Sequence, residues 1–452
     1  FAVAAQRTRK DYNALQKETS ADGVITGFCE INSKTIGTNN SNAIAIIYDY
    51  SVLAGTQGHF HHQKLDRIID KAKKYHLPVV IYTEGGGGRP GDVDVTTQIA
   101  GLNIPTFSKW AALTGSSLRI AVNNGYCFAG NAALFGVADF RISTEQSWIG
   151  MAGPAMIEGG GLGKFNPEEI GPSKTHEING VIDYMAKDEH EATVIAKKLL
   201  AYFQGSYESY QVSSQDDLRN LIPEDRKWGY PIREIINVLA DNESFLELRR
   251  NYGRSIVTGF CRLEGKPFAL LASDCQHLGG AIDATSAGKA SEFLSICDDH
   301  DIPILALVDT PGFMVGPDSE EESAVTKMSN LFKTGSKLSV PLIAVFLRKA
   351  YGLGAMAMVG GSFYEPLYSA SWPTGEFGGM GLEGAVQLGF KKELEAIEDP
   401  DEREALFDQF VSLAYEKGKA IEAAAHLEID AVIDPADTRK IILKAYNNHN
   451  RD

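Results

Sequence analysis

Glycine-rich turns are the segments of this chain best suited to chemistry. Four of them each follow a short apolar run and precede a helix-like segment, at 85–88, 129–131, 310–313 and 352–354. Glycine permits positive φ and close backbone approach, and a turn that opens a helix presents free N–H groups at the positive end of the helix dipole. Such groups bind a phosphate or stabilise a developing oxyanion. One such turn is more typical of tight packing than of a site, but four equivalent turns favour binding or catalysis.

The same turns carry almost no titratable side chains. The chain also lacks the nucleophile elbow G-x-S-x-G, the phosphate loop G-x-x-x-x-G-K-[ST] and the zinc motif H-E-x-x-H. The sequence therefore offers backbone donors without an accompanying base. A site of this kind stabilises an enolate while a second substrate or a cofactor removes the proton.

Three landmarks of the sequence occur twice, in the same order and at nearly constant separation. The pairs are VITGFC at 24–29 with IVTGFC at 256–261, VVIYTE at 79–84 with ILALVD at 304–309, and the IAV runs at 120–122 and 343–345. Three matches in register predict a duplicated domain, which we divide into residues 1–235 and 236–452. Each copy alternates helical periodicity with short β-branched runs, which predicts an α/β fold with helices packed on sheets.

Longer elements follow from the spacing of apolar residues. We predict a helix over Glu189–Phe203 and another over Lys391–Ala425, interrupted at Pro400. The longest apolar run, Val340–Leu347, has the length of a strand. Since a membrane-spanning helix needs about 18 apolar residues, we predict no membrane span.

Composition excludes several classes of protein. The 452 residues include 43 basic and 59 acidic side chains, for a net charge of −16, which argues against a nucleic-acid partner. The five cysteines are odd in number, widely spread and without a C-x-x-C pair, so we predict neither disulfides nor a zinc site but a reducing compartment. The chain opens on FAVAAQRTRK without a Met, which we interpret as a start partway into a longer polypeptide.

Nine sequence runs resemble one known family, in family order and over about residues 21–439. They resemble the carboxyltransferase component of biotin-dependent acyl-CoA carboxylases, a relative of the crotonase superfamily, and in particular that region of large single-chain bacterial acyl-CoA carboxylases. The runs are ADGVITGFCEIN, YDYSVLAGTQG, TEGGGGRPGD, GYCFAGNAAL, GPAMIEGGGLG, DTPGFMVGP, LRKAYGLGAMAM, WPTGEFGGMGLEGAV and EIDAVIDPADTR.

The resemblance implies a fold, a reaction and partners. The fold is α/β, with two tandem crotonase-like ββα-spiral domains. The reaction moves a carboxyl group from carboxybiotin, by way of CO2, to the enolate of an acyl-CoA such as acetyl-CoA or propionyl-CoA. The N-terminal domain is expected to bind the acyl-CoA and the C-terminal domain to receive biotin, without a metal. The working site is expected to lie between the N-terminal domain of one chain and the C-terminal domain of its neighbour.

The expected partners are a biotin carboxyl carrier and a biotin carboxylase, as domains or as subunits. The resemblance implies a homodimer at minimum and a hexamer, a trimer of dimers, as the usual assembly. It implies no nucleic acid and no membrane. The expected location is the cytoplasm, or the mitochondrial matrix in a eukaryote.

The resemblance also assigns residues to the two oxyanion sites. The chain departs from commoner members at Leu353 and at Gly88, where the family pattern reads Gly and Ala. We assign as catalytic Gly130, Asn131, Leu353 and Gly354; as substrate-binding Gly86, Gly87, Gly88, Arg89, Ala129 and Lys64; and as biotin-binding Gly312, Phe313, Tyr351 and Gly352.

Several polar residues admit two interpretations. Lys64 lies at helical spacing from two further basic residues and either meets CoA phosphates or belongs to a solvated face. Cys127 is either a nucleophile or a buried small residue, and we favour the latter. Glu84 and Asp309 end equivalent strands; we favour turn or helix capping over a role as bases.

The histidine cluster and one basic pair also admit two interpretations. For the histidines at 59, 61 and 62 we favour a loop near CoA or at the surface over a metal site, because side chains at adjacent positions do not face one ion. Arg348 and Lys349 either contact a carboxylate or biotin or pair with neighbouring acids.

Three alternatives to an acyl-CoA carboxylase stay open. The first is the carboxyltransferase subunit of a biotin-dependent decarboxylase. The second is a crotonase-like hydrolase or isomerase that works without biotin and needs a carboxylate or water-positioning residue in the N-terminal pocket. The third is a non-catalytic scaffold of a multidomain carboxylase.

Overall fold

The computed structural model describes residues 2–95 and 101–449, which form two compact units. Unit 1 is Phe1–Gly205 and unit 2 is Ser206–Asp452. The predicted division between residues 235 and 236 falls inside helix Ile232–Leu239, whose four buried apolar side chains pack in the core of unit 2. The Pro- and Gly-bearing segment near residue 230 therefore lies within unit 2, and the chain divides after the long helix that ends at Phe203.

Unit 1 alternates strands and helices as expected of an α/β fold. Its strands are β1 Val24–Glu30, β2 Asn42–Tyr48, β3 Val79–Tyr82, β4 Arg119–Asn123, β5 Tyr126–Phe128, β6 Phe140–Thr144, β7 Trp148–Gly150 and β8 Tyr184–Ala186. Its helices are α1 Tyr12–Glu18, α2 Ser33–Ile36, α3 His59–Tyr75, α4 Thr106–Ala111, α5 Gly130–Val137, α6 Pro154–Gly159, α7 Ser173–Asn179 and α8 Glu189–Phe203.

Unit 2 repeats this alternation. Its strands are β9 Leu246–Leu248, β10 Ile256–Leu263, β11 Lys266–Ser273, β12 Ile304–Thr310, β13 Leu342–Tyr351, β14 Tyr368–Ser371, β15 Glu376–Gly378 and β16 Ala431–Val432. Its helices are α9 Ile232–Leu239, α10 Ala284–Asp299, α11 Pro317–Glu321, α12 Ala324–Gly335, α13 Gly352–Met358, α14 Leu382–Gly389, α15 Lys391–Glu395, α16 Pro400–Lys417, α17 Ala420–Ala425 and α18 Thr438–His449.

The two main sheets have the same topology. In unit 1 the strand order is β1-β2-β3-β4-β6-β8, and in unit 2 the corresponding strands run β10-β11-β12-β13-β14-β16, with β9 added at the edge. In both sheets the first two of these strands are antiparallel and the others are parallel. Smaller parallel pairings join β5 to β7 and β13 to β15.

Strand register confirms the duplication residue by residue. Val80 lies opposite Ile120 in unit 1, and Leu305 lies opposite Ile343 in unit 2. Val80 and Leu305 are the second residues of VVIYTE and ILALVD, and the two isoleucines open the two IAV runs. The α/β prediction and the internal repeat are therefore both confirmed by the structure.

Each unit has its own apolar core, because parallel strands covered by helices are buried on both faces. All five residues of β4 and all seven of β12 are buried, whereas β1 is buried only at Val24. In the described ranges, no helix is long and apolar enough to cross a membrane. The predicted helix over Glu189–Phe203 is confirmed as α8, and the segment after Lys391 forms three helices, because Pro400 begins α16 rather than kinking a longer helix.

Candidate active site

The glycine loop of unit 1 follows β3 and is held beside Gln57. The Gln57 N–H donates to Gly87 O at 2.7 Å, and the Arg89 N–H donates to Gln57 O at 2.9 Å. Since consecutive amides of an extended segment point to opposite sides, the Gly88 N–H points away from Gln57. It has no acceptor in the described part of the chain. One free backbone donor therefore stands in this loop.

A second set of free donors opens α5. Ala129, at φ 53°, donates its own N–H to Gly150 O at 2.9 Å and accepts the first helical bond, from the Ala133 N–H. The N–H groups of Gly130 and Asn131 have no acceptor among residues 2–95 and 101–449. They are the unpaired amides that every helix leaves at its N-terminus.

The Asn131 side chain joins the loop to the helix. Its Oδ1 accepts the Gly87 N–H at 3.0 Å, and its Nδ2 donates to Thr83 O at 3.0 Å. A Cβ added to Gly87 would lie 2.7 Å from the Ala129 Cβ and 3.6 Å from the Gly130 nitrogen. The free amides of Gly88 and Gly130 therefore belong to two segments in direct contact.

The loop after β12 in unit 2 has the same hydrogen-bond pattern. Here the Ile282 N–H donates to Gly312 O at 3.0 Å, and the Met314 N–H donates to Ile282 O at 2.8 Å. The Phe313 N–H, between them, has no acceptor in the described ranges. Thr310 fixes the loop, because its Oγ1 accepts the Gly312 N–H at 3.1 Å and donates to Gly280 O at 2.7 Å.

Helix α13 brings its first amides to this loop. Gly352 has φ 57°, in the left-handed region that Ala129 also occupies in unit 1. The N–H groups of Leu353 and Gly354 have no acceptor in the described residues. A Cβ on Gly354 would lie 2.6 Å from the Gly312 carbonyl carbon and 2.8 Å from the Phe313 nitrogen, so only glycine permits this contact.

The two arrangements occupy equivalent places in the repeat. Gly88 follows the end of VVIYTE by as many positions as Phe313 follows the end of ILALVD, and Gly130 and Leu353 follow their IAV runs in the same way. Each unit thus places one free loop amide beside free amides at a helix start. Free N–H groups in neighbouring segments are the donors that an oxyanion site requires.

Comparison with known proteins identifies the family. The family model for the carboxyl transferase domain matches residues 2–451. The chain belongs to this family. The predicted family, crotonase-like fold class and enzyme class are confirmed, and the protein is an enzyme of the acyl-CoA carboxylase carboxyltransferase family.

Two curated relatives show how widely the likeness extends. The methylmalonyl-CoA carboxyltransferase 12S subunit of Propionibacterium freudenreichii subsp. shermanii is 31% identical over 435 residues, which cover 94% of this chain and 80% of that subunit. The propionyl-CoA carboxylase beta chain of Roseobacter denitrificans is 28% identical over 453 residues, covering 96% of this chain and 84% of the beta chain.

Solved structures give the same fold. A single-chain, multi-domain long-chain acyl-CoA carboxylase superposes with a TM-score of 0.92 at 48% identity, covering 98% of this chain. This chain spans only 43% of that carboxylase. The transcarboxylase 12S structure, a hexamer solved with methylmalonyl-CoA, gives a TM-score of 0.82 at 28% identity, covering 96% of this chain and 82% of the 12S chain.

Not every assigned amide of this carboxyltransferase is available to a ligand. The Gly86 N–H donates to Ala54 O at 3.1 Å, and the Gly87 N–H is bound by Asn131. Of the three glycines assigned to substrate, only Gly88 keeps a free N–H. On the other side, the Gly312 N–H is bound by Thr310, and the buried Tyr351 donates its hydroxyl to Glu376 Oε2 at 2.8 Å. Glycine spacing alone does not show which amide is free.

The assignment of Lys64 to CoA phosphates does not fit its environment. Its ammonium donates to the carbonyls of Ala21 and Val24, and partial burial lowers its pKa. Unit 2 contains the same device at the equivalent place in the repeat: Lys289 donates to Gly253 O at 3.3 Å and to Ile256 O at 2.7 Å. Both lysines therefore tie a helix to the start of a strand, β1 in unit 1 and β10 in unit 2, and to the turn before it.

Arg89 is also engaged within the protein. Its side chain is only 4% exposed and forms an ion pair with Asp22, whose side chain is fully buried. Its guanidinium is thus already neutralised by a carboxylate rather than left for a phosphate. Lys64 is assigned to substrate from charge and helical spacing, and Arg89 from the family resemblance. Neither reveals the carbonyls and the carboxylate that meet these side chains.

The remaining polar candidates are accounted for by local contacts. Cys127 is fully buried, and burial raises the pKa of its thiol, which favours a packing role. Arg348 and Lys349 both pair with Asp309, at 3.1 and 3.7 Å. His61 and His62 are buried, and burial lowers the pKa of each, to about 3 and about 4.

In each unit a cavity reaches one of the glycine turns. In unit 1 a cavity of about 700 Å³ includes Gly88 and Gln57 in its wall, together with His59, His62 and Asp66. In unit 2 a cavity of about 500 Å³ reaches Gly352 and Gly379, with Phe363 and Phe377 as its aromatic wall.

Sequence reasoning missed a buried polar chain beside the first cavity. His62 Nδ1 lies 3.0 Å from Thr106 Oγ1, which donates to Asp66 Oδ1 at 2.6 Å. Helical spacing of His62 and Asp66 was the available signal, but Thr106 comes from a different helix. No group of three His, Cys, Asp or Glu side chains suited to a metal occurs among the described residues.

Proposed function

We propose that this chain transfers a carboxyl group from carboxybiotin to the α-carbon of an acyl-CoA. The observation that supports the proposal is the duplicated pair of free amides, Gly88 with Gly130 and Phe313 with Leu353. The reaction develops negative charge on two oxygens, those of the thioester and of the biotin ureido group. One amide pair for each oxygen accounts for both halves of the repeat.

The amides of unit 1 receive the thioester oxygen. As the α-proton leaves, charge develops on that oxygen, and the N–H groups of Gly88 and Gly130 donate to it. Because the loop and the helix are fixed before the reaction, the donors need no reorganisation at the moment of charge development. Removing one such donor from an enzyme costs on the order of 10²–10³ in rate.

The amides of unit 2 receive biotin. A ureido carbonyl is an acceptor, and the Phe313 and Leu353 amides are donors without protein partners in the described residues. Gly354 suits this role, since it leaves the loop and helix in contact with no side chain between them. When bound, carboxybiotin supplies the carboxyl group and, once that group has left, the acceptor for the α-proton.

The strand-end carboxylates are occupied, which agrees with proton removal by the cofactor. Glu84 Oε1 accepts the Asn124 N–H at 2.6 Å, and Asp309 Oδ1 accepts the Lys349 N–H at 3.1 Å. Both interactions tie a backbone segment in place. In this mechanism the chain binds, orients and polarises, and it does not itself remove the proton.

The proposed partners are a biotin carboxyl carrier and a biotin carboxylase, as domains or subunits. The multi-domain relative and the hexameric 12S relative support this proposal and an assembly of at least a dimer, up to a trimer of dimers. The five cysteines are free, which supports a reducing location, the cytoplasm or, in a eukaryote, the mitochondrial matrix. For the acyl-CoA we propose propionyl-CoA or a long-chain acyl-CoA, after the names of two relatives.

The reverse reaction tests this function directly. The purified chain is incubated with malonyl-CoA or methylmalonyl-CoA, with and without free biotin, and the loss of the carboxyl group and the release of free CoA are both measured. We expect decarboxylation that depends on biotin and leaves the thioester intact. Thioester hydrolysis without biotin would instead indicate a crotonase-like hydrolase and contradict the proposal.

A further inference from the structure

The loop that carries the Gly88 amide has almost no side chains of its own. Four glycines in succession, 85–88, have the largest backbone freedom of any residue type, so fixing them costs more entropy than fixing other residues. The first side chain after the free amide is that of Arg89. Gln57 bonds to the peptides on both sides of the Gly88 N–H, and Asn131 binds the Gly87 N–H. Arg89 is the first residue of this segment whose own side chain anchors it.

Arg89 is anchored on three sides. Its guanidinium forms an ion pair with Asp22, and its Nε and a terminal nitrogen donate to Thr56 Oγ1 at 3.2 Å and Thr56 O at 2.6 Å. Asp92 lies 3.6 Å away on the third side. The planar, multiply bonded guanidinium fixes both the position and the orientation of the backbone that carries it.

Asp22 is itself held rigidly. It lies in the 3-10 turn Ser20–Gly23 at φ 53°, and its Oδ2 accepts the His61 N–H at 2.8 Å. Lys64 ties the same turn to α3 through the carbonyls of Ala21 and Val24. The glycine loop is thus connected, through one ion pair, to a turn that α3 immobilises.

Unit 2 fixes its corresponding loop without an ion pair. The residue equivalent to Arg89 is Met314, which follows Phe313 as Arg89 follows Gly88 and carries no charge. Its loop instead contains Pro311, whose ring fixes φ, and Thr310, whose hydroxyl binds the Gly312 N–H. The glycine loop of unit 1 contains no proline, and its Gly87 N–H is bound from helix α5, by Asn131 Oδ1, rather than by a side chain of the loop. The ion pair of Arg89 occurs where the loop itself lacks both devices.

We propose that Arg89, through its ion pair with Asp22, is a positioning residue for the Gly88 amide in the acyl-CoA half of the reaction. A buried ion pair is weak evidence for stability, because desolvation offsets most of the attraction. The Arg89–Asp22 ion pair can nevertheless fix a conformation. It orients the Gly88 N–H, which has no side chain of its own to hold it. The inference rests on the proposed function, since the oriented donor matters only if a thioester oxygen binds there.

The test compares Arg89→Met with a matched control, Arg119→Met. Arg119 forms an equally buried ion pair with Asp139, with side chains 2% and 7% exposed. Arg119 begins β4, whereas the helix with the free amides follows the other end of that strand. Steady-state kinetics are measured for biotin-dependent decarboxylation of malonyl-CoA, together with thermal unfolding of each variant. Activities are referred to the folded fraction.

We expect Arg89→Met to lower kcat by about 10- to 100-fold with KM for malonyl-CoA changed by less than about 3-fold, because an oxyanion donor acts mainly in the transition state. Arg119→Met should lower the unfolding temperature by a similar amount while kcat per folded enzyme stays near that of the wild type. Arg89→Lys, which keeps a charge for Asp22 but not the bonds to Thr56, should recover part of kcat.

The possible failures are distinguishable. If the wild-type chain shows no biotin-dependent decarboxylation, the proposed function is wrong. If the wild type is active and Arg89→Met loses no more kcat than Arg119→Met, the positioning role is wrong. If Arg89→Met does not fold, Arg89→Lys against Arg119→Lys decides the question by the same kcat criterion.

Discussion

Glu84 in unit 1 and Asp309 in unit 2 each bind a backbone N–H, but their charged neighbours differ. Each carboxylate is the last residue of its copy of the repeated strand motif, VVIYTE or ILALVD, and each accepts a backbone N–H from the adjacent strand segment, that of Asn124 or of Lys349. Asp309 is neutralised by Arg348 and Lys349. Glu84 has no ion pair in the described part of the chain, and burial raises its pKa to about 7.

This difference predicts that stability depends on pH through Glu84. Between its ordinary pKa of 4.5 and about 7, the folded state keeps a proton that the unfolded state has lost. Stability therefore falls as pH rises through this window and stays lower above it. Glu84→Gln removes the ionisation, so we expect the variant to gain unfolding temperature relative to the wild type at pH 8 and little at pH 5. An equal shift at both pH values would show that the carboxyl does not titrate in this window.

A methyl group on Gly354 should abolish carboxyl transfer. In Gly354→Ala the new Cβ would lie within 2.8 Å of the Gly312 and Phe313 backbone, so the loop and helix must separate and the two donors lose their alignment. We expect a fall of about 10²-fold or more in biotin-dependent decarboxylation of malonyl-CoA. The matched control is Gly288→Ala in α10, where a Cβ meets nothing within 4 Å and helix propensity favours Ala by about 1 kcal/mol. Near-normal rates in Gly354→Ala would contradict the assignment of this amide pair.

Lys64→Met should cost stability rather than substrate affinity. The substitution leaves the carbonyls of Ala21 and Val24 without their donor, at a cost of about 1–3 kcal/mol for each unsatisfied group. We expect a lower unfolding temperature with an unchanged KM for acyl-CoA. Lys71→Met, on the exposed face of the same helix, is the control and should alter neither quantity. A raised KM specific to Lys64→Met would restore the phosphate-binding assignment.

Cys127→Ala should leave the enzyme active. The thiol is fully buried, lies 3.6 Å from Thr83 Oγ1, and has a raised pKa because of burial, so it is not a thiolate at neutral pH. We expect kcat within about 3-fold of the wild type, since a methyl replaces a small apolar group. Iodoacetamide should leave Cys127 unmodified in the native protein and modify it after unfolding. Loss of turnover in a folded Cys127→Ala protein would require a nucleophilic role.

The glycine turns of the candidate site could be predicted from the sequence, because glycine marks backbone positions with special conformational freedom. The loop at 85–88 and the helix start at Gly130 were predicted from residue type and from the repeat. The choice of Gly88 over Gly86 and Gly87 was not, because it depends on Gln57, which is distant in sequence and bonds to the flanking peptides. The role of Lys64 was not predicted for the same reason. Helical spacing places Lys64 on one face of its helix, but only the folded structure shows that its ammonium donates to the carbonyl of Ala21.

The α/β class, the duplication and the family could all be inferred from the amino-acid sequence, because they depend on periodicity, on register between two halves and on long matching runs. The folded protein was needed to show which amides are free, which charged side chains are internal ties and where unit 1 ends. These properties depend on hydrogen-bond partners distant in the chain, and a backbone N–H is a free donor only when folding has given it no acceptor.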